Sequence, residues 1–214
     1  MPTTVDAWVD SLMPDLPSLT VAYARRIVLE QAREYCTRSW AWREELGPYP
    51  VSADETELDI GTNDDKDIQY VIRVSTGGIP LTALAFRPAV GSTTSYSHIA
   101  GKPAYRRGIE PQYVYWHPAV ATDFEEPAYV LVAYSPALDV AKTFTDGLLQ
   151  HRHFEAIRMG ALGRLQDMHD KPWGNPLLGK ANLRRFYAAI TSTRDIADRE
   201  YTSADTAWTY PTWA

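Results

Sequence analysis

The chain has 214 residues, 45% of them apolar, 22% charged and 12% aromatic, which suffices for one good core, or one domain carrying an insert, and is too little for several domains. With 21 Lys and Arg against 27 Asp and Glu the net charge is −6, so composition gives no support to a general nucleic-acid reader. A single cysteine, Cys36, excludes an internal disulfide framework and a thiolate metal cluster within one chain and suits a reducing compartment; no apolar run approaches the roughly 20 residues that cross a bilayer, and the N-terminus MPTTVDAWVD carries acids where a signal peptide is basic.

Val5, Trp8, Val9 and Leu12 have the spacing of a short amphipathic helix ended by Pro14 and Pro17, expected to pack on the element that follows. From Pro17 to Leu46, Val21, Ala24, Ile27, Val28, Ala32, Tyr35 and Cys36 recur at steps of three and four, which predicts a long helix capped by Ser18 or Thr20 and stopped by Gly47-Pro48. Between Pro48 and about Pro136 short runs rich in Val, Ile, Tyr and Thr alternate with Gly, Pro and Asp clusters. They predict antiparallel strands near Glu57–Ile60, Ile68–Ser75, Ile79–Phe86, Ala104–Arg107, Gln112–Trp116 and Ala128–Tyr134, with a hairpin at Thr76-Gly77-Gly78 and a surface loop from Pro88 to Gly101. The helical period returns with Leu148, Leu149, Phe154, Ile157, Ala161, Leu162, Leu165 and Met168, breaks at 169–174, and resumes in a helix capped by Asn175 with Pro176 in its first turn and Leu178, Ala181, Phe186, Tyr187 and Ile190 facing inward. These two helices should pair antiparallel. The expected architecture is α+β: a helical bundle from 1–47 and 141–200, an inserted antiparallel β-domain over 48–140, and an extended aromatic C-terminal arm over 201–214.

That arm holds Tyr201, Trp208, Tyr210 and Trp213 with Asp205 as its one charge, and it has no period that would bury four large rings by itself. Trp and Tyr seek burial and anchor interfaces, so a segment that orders on a partner fits it. The stretch from Ser52 to Asp67 concentrates Asp54, Glu55, Glu57, Asp59, Asp64, Asp65 and Asp67 against Lys66 alone, a local charge equal to that of the whole chain. Such a run keeps a hairpin solvated, and in a ring it offers a surface that DNA passes without the counterion release that holds it to a basic one.

Signals for catalysis are sparse. His151, His153, Glu155 and His169 have metal-ligand chemistry, but His at i and i+2 on a helix point to different faces, so no metal site is expected. Cys36 lies on an apolar stripe, as a structural thiol does. The chain has no Gly-x-Ser-x-Gly elbow and no Gly-rich loop ending in Gly-Lys-Ser/Thr, and no cofactor is expected. The acids Asp123, Glu125 and Glu126 near Trp116 and His117 are the residues a cell-wall or polysaccharide hydrolase would use, and they sit in a turn-like, charged context.

The opening, Val9-Asp10-Ser11-Leu12-Met13-Pro14-Asp15-Leu16-Pro17 followed by Ala32-Arg33-Glu34-Tyr35-Cys36-Thr37-Arg38-Ser39-Trp40-Ala41-Trp42-Arg43, resembles bacteriophage head-to-tail adaptor proteins, also called head completion or connector proteins. Ala156 to Leu165 with Lys171-Pro172-Trp173 looks like that family's late helical pair, and Gly101-Lys102-Pro103-Ala104-Tyr105 like its Gly-x-Pro approach to a strand. The resemblance implies a structural virion protein with no enzymatic activity, assembled in the host cytoplasm and located in the neck between capsid and tail. It implies a ring of roughly twelve copies under the portal protein, neighbouring copies and tail or tail-completion proteins as partners, and DNA passing through the channel without sequence-specific binding. The alternative within the same virion is a tail-tube or tail-terminator subunit.

Overall fold

In a computed structural model, which describes residues 5–62, 66–84, 103–117, 120, 122–137 and 147–202, the fold is α+β. Its contacts divide the chain into two compact units, one built from Met1–Ala41 with Leu138–Ala214 and the other from Trp42–Ala137.

The first unit is helical. Helix α1 spans Asp6–Leu12 and runs into a 3-10 turn at Met13–Asp15. With seven residues it is too short to stand alone, and it is held by burying Val5, Trp8, Val9 and Leu12, the positions that the spacing selected. Helix α2 spans Val21–Ser39 and buries Ala24, Ile27, Val28, Ala32, Tyr35 and Cys36, while Val21 lies largely in solvent. It ends seven residues before the expected Leu46. Trp40 takes a left-handed conformation with its N–H on the Cys36 carbonyl, and the Ser39 hydroxyl donates to the Tyr35 carbonyl at 2.7 Å.

Helix α3 spans Gly147–Arg152 and α4 spans Phe154–Gln166, separated by non-helical backbone at His153. Helix α5 spans Pro176–Thr202. The Asn175 side chain accepts the Leu178 N–H at 3.3 Å, as its capping role requires. Helices α4 and α5 run antiparallel and close together: Gly160 lies against Phe186, Gly163 against Leu183, and Gly179 against the main chain of Gly163 and Asp167. This contact sets the rotation of α5. Its buried stripe is Gly179, Asn182, Phe186, Ile190 and Ala197, so the expected inward positions Leu178, Ala181 and Tyr187 are exposed. Asn182 donates to Gln166 at 2.8 Å inside the pair, and a buried polar bond of this kind is invisible to a reading by hydrophobicity.

The second unit contains two antiparallel sheets. One has the order β1-β7-β3-β4, with β1 Arg43–Tyr49, β3 Lys66–Thr76, β4 Ile79–Pro80 and β7 Ala128–Pro136. Strand β1 replaces the expected end of the first helix. Its Arg-Glu-Glu-Leu run has good helix propensity, but pairing with β7 wins, and Gly47-Pro48 sits where the register shifts between Leu46 and Tyr49. Gly77 and Gly78 both have positive φ and close the β3–β4 hairpin with Ser75 opposite Pro80 and Thr76 opposite Ile79. Of the strand expected over Ile79–Phe86 only Ile79–Pro80 joins this sheet; Ala83 instead makes an isolated bridge to Tyr105, and residues 85–102, including the expected loop, lie outside the described residues.

The second sheet has the order β2-β6-β5, with β2 Glu57–Asp59, β5 Ala104–Arg107 and β6 Tyr113–His117. Arg107 reaches from β5 to the β3 carbonyls of Val71, at 2.6 Å, and Ile72, at 3.3 Å. Those carbonyls flank a register shift between Val71 and Arg73, so a guanidinium satisfies groups that the bulge presents differently from the regular ladder.

Candidate functional site

Strand β2 alternates: Leu58 is buried with Val114 and Trp116, while Glu57 and Asp59 are exposed. In register they stand beside Tyr115 and Tyr113, whose rings lie 6.5 Å apart. The Asp59 carboxylate beside Tyr113 pushes its phenol above the ordinary value, with smaller effects from burial, Glu110 and Glu57. On this outer face Glu57, Arg106, Tyr113, Tyr115 and His117 line an open groove of about 820 Å³. At the turn from β5 to β6, Ile109 is 86% exposed.

The remaining predicted acids have separate placements. Asp54 is exposed in a turn at φ 65°, and Glu55 accepts the Ser52 N–H at 2.9 Å. Asp59 also accepts the Gly61 N–H at 2.8 Å. Asp67 is half-buried on β3 opposite Ser135, in the other sheet, while Asp64 and Asp65 lie outside the described residues. The structure therefore brings Asp54, Glu55, Glu57 and Asp59 together at and just before β2, and does not bring Asp67 to them.

The expected aromatic arm begins later than the sequence suggests, because α5 continues through Thr202 and Tyr201 belongs to its last turn. Trp208, Tyr210 and Trp213 lie outside the described residues. At 1.5 Å per residue a 27-residue helix is about 40 Å long, so the C-terminal end of α5 lies far from the α4–α5 turn.

Two features of α5 were missed. Leu177 is 84% and Leu178 46% exposed, and Lys180, Ala181, Arg184, Arg185 and Ala188 are exposed with them. The signal was available in the sequence, since 171–194 contains Lys171, Lys180, Arg184, Arg185 and Arg194 and no acid. Arg194 is engaged, over the Trp40 ring at 3.0 Å from its centroid and on Asp198 at 3.1 Å. Lys180, Arg184 and Arg185 have no ion-pair partner among the described residues.

The acids considered for catalysis lie in the stretch just before β7. Asp123 accepts the Ala53 N–H at 2.7 Å, the Glu126 carbonyl accepts the Thr76 hydroxyl at 2.8 Å, and Glu125 is exposed. The groove beside Trp116 and His117 is lined by Glu57 and Glu110, not by these three acids. Among the described residues no group of three His, Cys, Asp or Glu side chains is placed to hold a metal ion. His151 and His169 are exposed, whereas His153 turns into the bundle, with Nδ1 2.9 Å from the Tyr35 hydroxyl, which is also 2.8 Å from the Thr193 hydroxyl. This bond joins the α3–α4 break to α2 and α5.

Burial, aided by nearby Arg152, holds the His153 imidazolium below its ordinary pKa. A depressed histidine leaves stability intact above the unfolded pKa near 6.5 and removes it as pH falls towards the folded value, because the unfolded chain takes up the proton first. Urea midpoints measured between about pH 7 and pH 5 should fall in the native chain and fall less in His153→Gln. Equal slopes in the two chains would assign the acid sensitivity elsewhere.

A scan against protein-family models finds no match, and a search of curated proteins finds none. No described helix is long and apolar enough to cross a membrane.

Proposed function

We propose that the chain is a structural protein of a phage virion, a head-to-tail adaptor that binds the portal as a ring, extends the DNA channel and offers a docking surface to the tail. One observation carries the reading beyond the resemblance. Both ends of the chain build one helical unit around an inserted β-unit, and its longest helix leads straight into a segment holding Trp208, Tyr210 and Trp213 with one charged side chain. The motifs of the resemblance also fall on junctions of this architecture: Pro14 in the turn after α1, Tyr35-Cys36 and Trp40 at the end of α2, and Lys171-Pro172-Trp173 between α4 and α5.

In this reading the helical unit builds the ring wall and the aromatic segment docks into the portal or a neighbouring copy. Each arm can bind weakly, because a ring presents many arms to a symmetric portal and effective concentration supplies the remaining affinity. The roughly twelvefold ring, the place in the neck and the tail as second partner belong to the same proposal.

The test is mass by light scattering after size exclusion, on the chain alone and mixed with portals from the same source. Stoichiometric capture by portals, lost on deleting residues 203–214, supports the adaptor. A chain that stays monomeric and ignores portals overturns it.

A further inference from the structure

We propose that the outer face of the first half of α5, formed by Leu177, Ala181, Arg184, Arg185 and Ala188 with Lys180 at its margin, docks on the acidic β2 edge of a second copy of this chain. The inference rests on the ring reading above and names the joint between neighbouring copies. Leu177, Ala181, Arg184 and Ala188 follow at steps of four, three and four, opposite the stripe of Gly179, Asn182, Phe186 and Ile190 that packs inside the unit. An isolated exposed leucine needs no explanation, but Leu177 at 84% exposure and Leu178 at 46% stand next to three basic side chains without ion-pair partners among the described residues.

Charge complementarity identifies the occupant. Between 171 and 194 the chain carries five bases and no acid, while between 52 and 67 it carries seven acids and one base. In the structure the second group presents Glu57 and Asp59 outward from β2, with exposed Asp54 and half-buried Glu55 just before it. A polyanion is the weaker candidate for the α5 face, since the chain as a whole is acidic and leucines add nothing to a phosphate contact. Two different patches that complement each other form a head-to-tail contact, which closes into a ring when the rotation allows, whereas a self-complementary patch stops at a dimer. Opposite charges also set register and suppress wrong pairings.

The experiment uses two full-length variants, Arg184→Glu/Arg185→Glu and Glu57→Lys/Asp59→Asn, the asparagine keeping an acceptor for the Gly61 N–H, with folding checked by circular dichroism. Sedimentation equilibrium is run at about 50 mM and about 500 mM salt, where screening differs strongly. The native chain should associate beyond a dimer at low salt and weaken at least about tenfold at high salt. Each variant alone should associate about a hundredfold more weakly, because like charges then face each other. Their equimolar mixture should recover most of the native affinity, since each variant's altered patch meets a complementary one on the other.

The proposal falls if the native chain stays monomeric to about 1 mM at low salt, if association ignores salt, or if either variant assembles like the native chain. It also falls if the mixture stays apart. If Arg184→Glu/Arg185→Glu leaves mass unchanged but abolishes binding of a DNA duplex, the face contacts nucleic acid and the joint is overturned. Failure of the adaptor reading looks different: the swap then behaves as expected while portals capture nothing.

Discussion

Trp8→Ala should destabilise the chain by about 3–5 kcal/mol, a large fraction of the roughly 5–15 kcal/mol available to a folded domain. Trp8 is fully buried, its indole N–H donates to the Phe154 carbonyl at 3.1 Å, and its ring stacks on Phe154 at 5.2 Å and 21°. Other ties on α1 and the turn after it are weaker: the Asp6–Arg25 and Asp15–Arg158 ion pairs are partly exposed, and such pairs contribute about 0–1 kcal/mol each. Trp8 therefore decides whether α1 stays docked on α2 and α4. Trp8→Phe, which keeps most of the ring area and loses the hydrogen bond, should cost less, about 1–2 kcal/mol. Guanidinium midpoints at constant slope would measure both. A loss under about 1 kcal/mol for the alanine variant would mean that α1 contributes little to the helical unit.

The parts of this fold that were legible are those written in local chemistry. Gly77-Gly78 between β-rich runs, Asn175-Pro176 ahead of α5, and the apolar steps from Ala24 to Cys36 each specify their element whatever surrounds them. Strand β1 was not legible because its residues prefer a helix and become a strand only by pairing with β7, whose partner residues lie 79 to 90 positions away. The rotation of α5 was misread for a related reason. Leu178 attracts a hydrophobic reading, yet the buried neighbour is Gly179, chosen for the room it leaves rather than for apolar area.

For the candidate surfaces, the acidic stretch and the aromatic end could be found by counting. The outer face of the three-stranded sheet was available as the alternation of Tyr113, Tyr115 and His117 against Val114 and Trp116. The α5 face was hidden in the same way as its rotation: once Leu178 is assigned inward, the bases beyond it read as an ordinary solvated rim. Separation of Asp67 from the β2 acids required the strand pairing itself, because in sequence it is eight residues from Asp59 and in space it belongs to another sheet.

Gly179→Ala tests the α4–α5 contact by the sign of its effect. In an isolated helix alanine is about 1 kcal/mol better than glycine, so a freely exposed Gly179 would make the substitution stabilising. Here an added Cβ would lie 2.8 Å from the Asp167 nitrogen and 3.0 Å from the Gly163 carbonyl oxygen. All of its near neighbours are main-chain atoms, which cannot rotate away as a side-chain end can, so the two helices must separate. Overpacking of this kind costs about 1–3 kcal/mol and sometimes more, and a clash with main chain belongs at the upper end. Offset by the helix preference, the net expectation is a loss of about 2 kcal/mol. Gly160→Ala gives the comparison: its Cβ would meet the Phe186 ring edge at 2.8 Å and the Gln31 side chain at 3.0 Å, groups that can shift, so its cost should be smaller. A thermal midpoint that rises in Gly179→Ala would mean that the helices do not approach through this glycine. A fall larger than that of Gly160→Ala is the result that the main-chain contact requires, and the same separation would tilt the α5 face carrying Leu177 and Arg184, so the proposed association with a second copy should weaken along with stability.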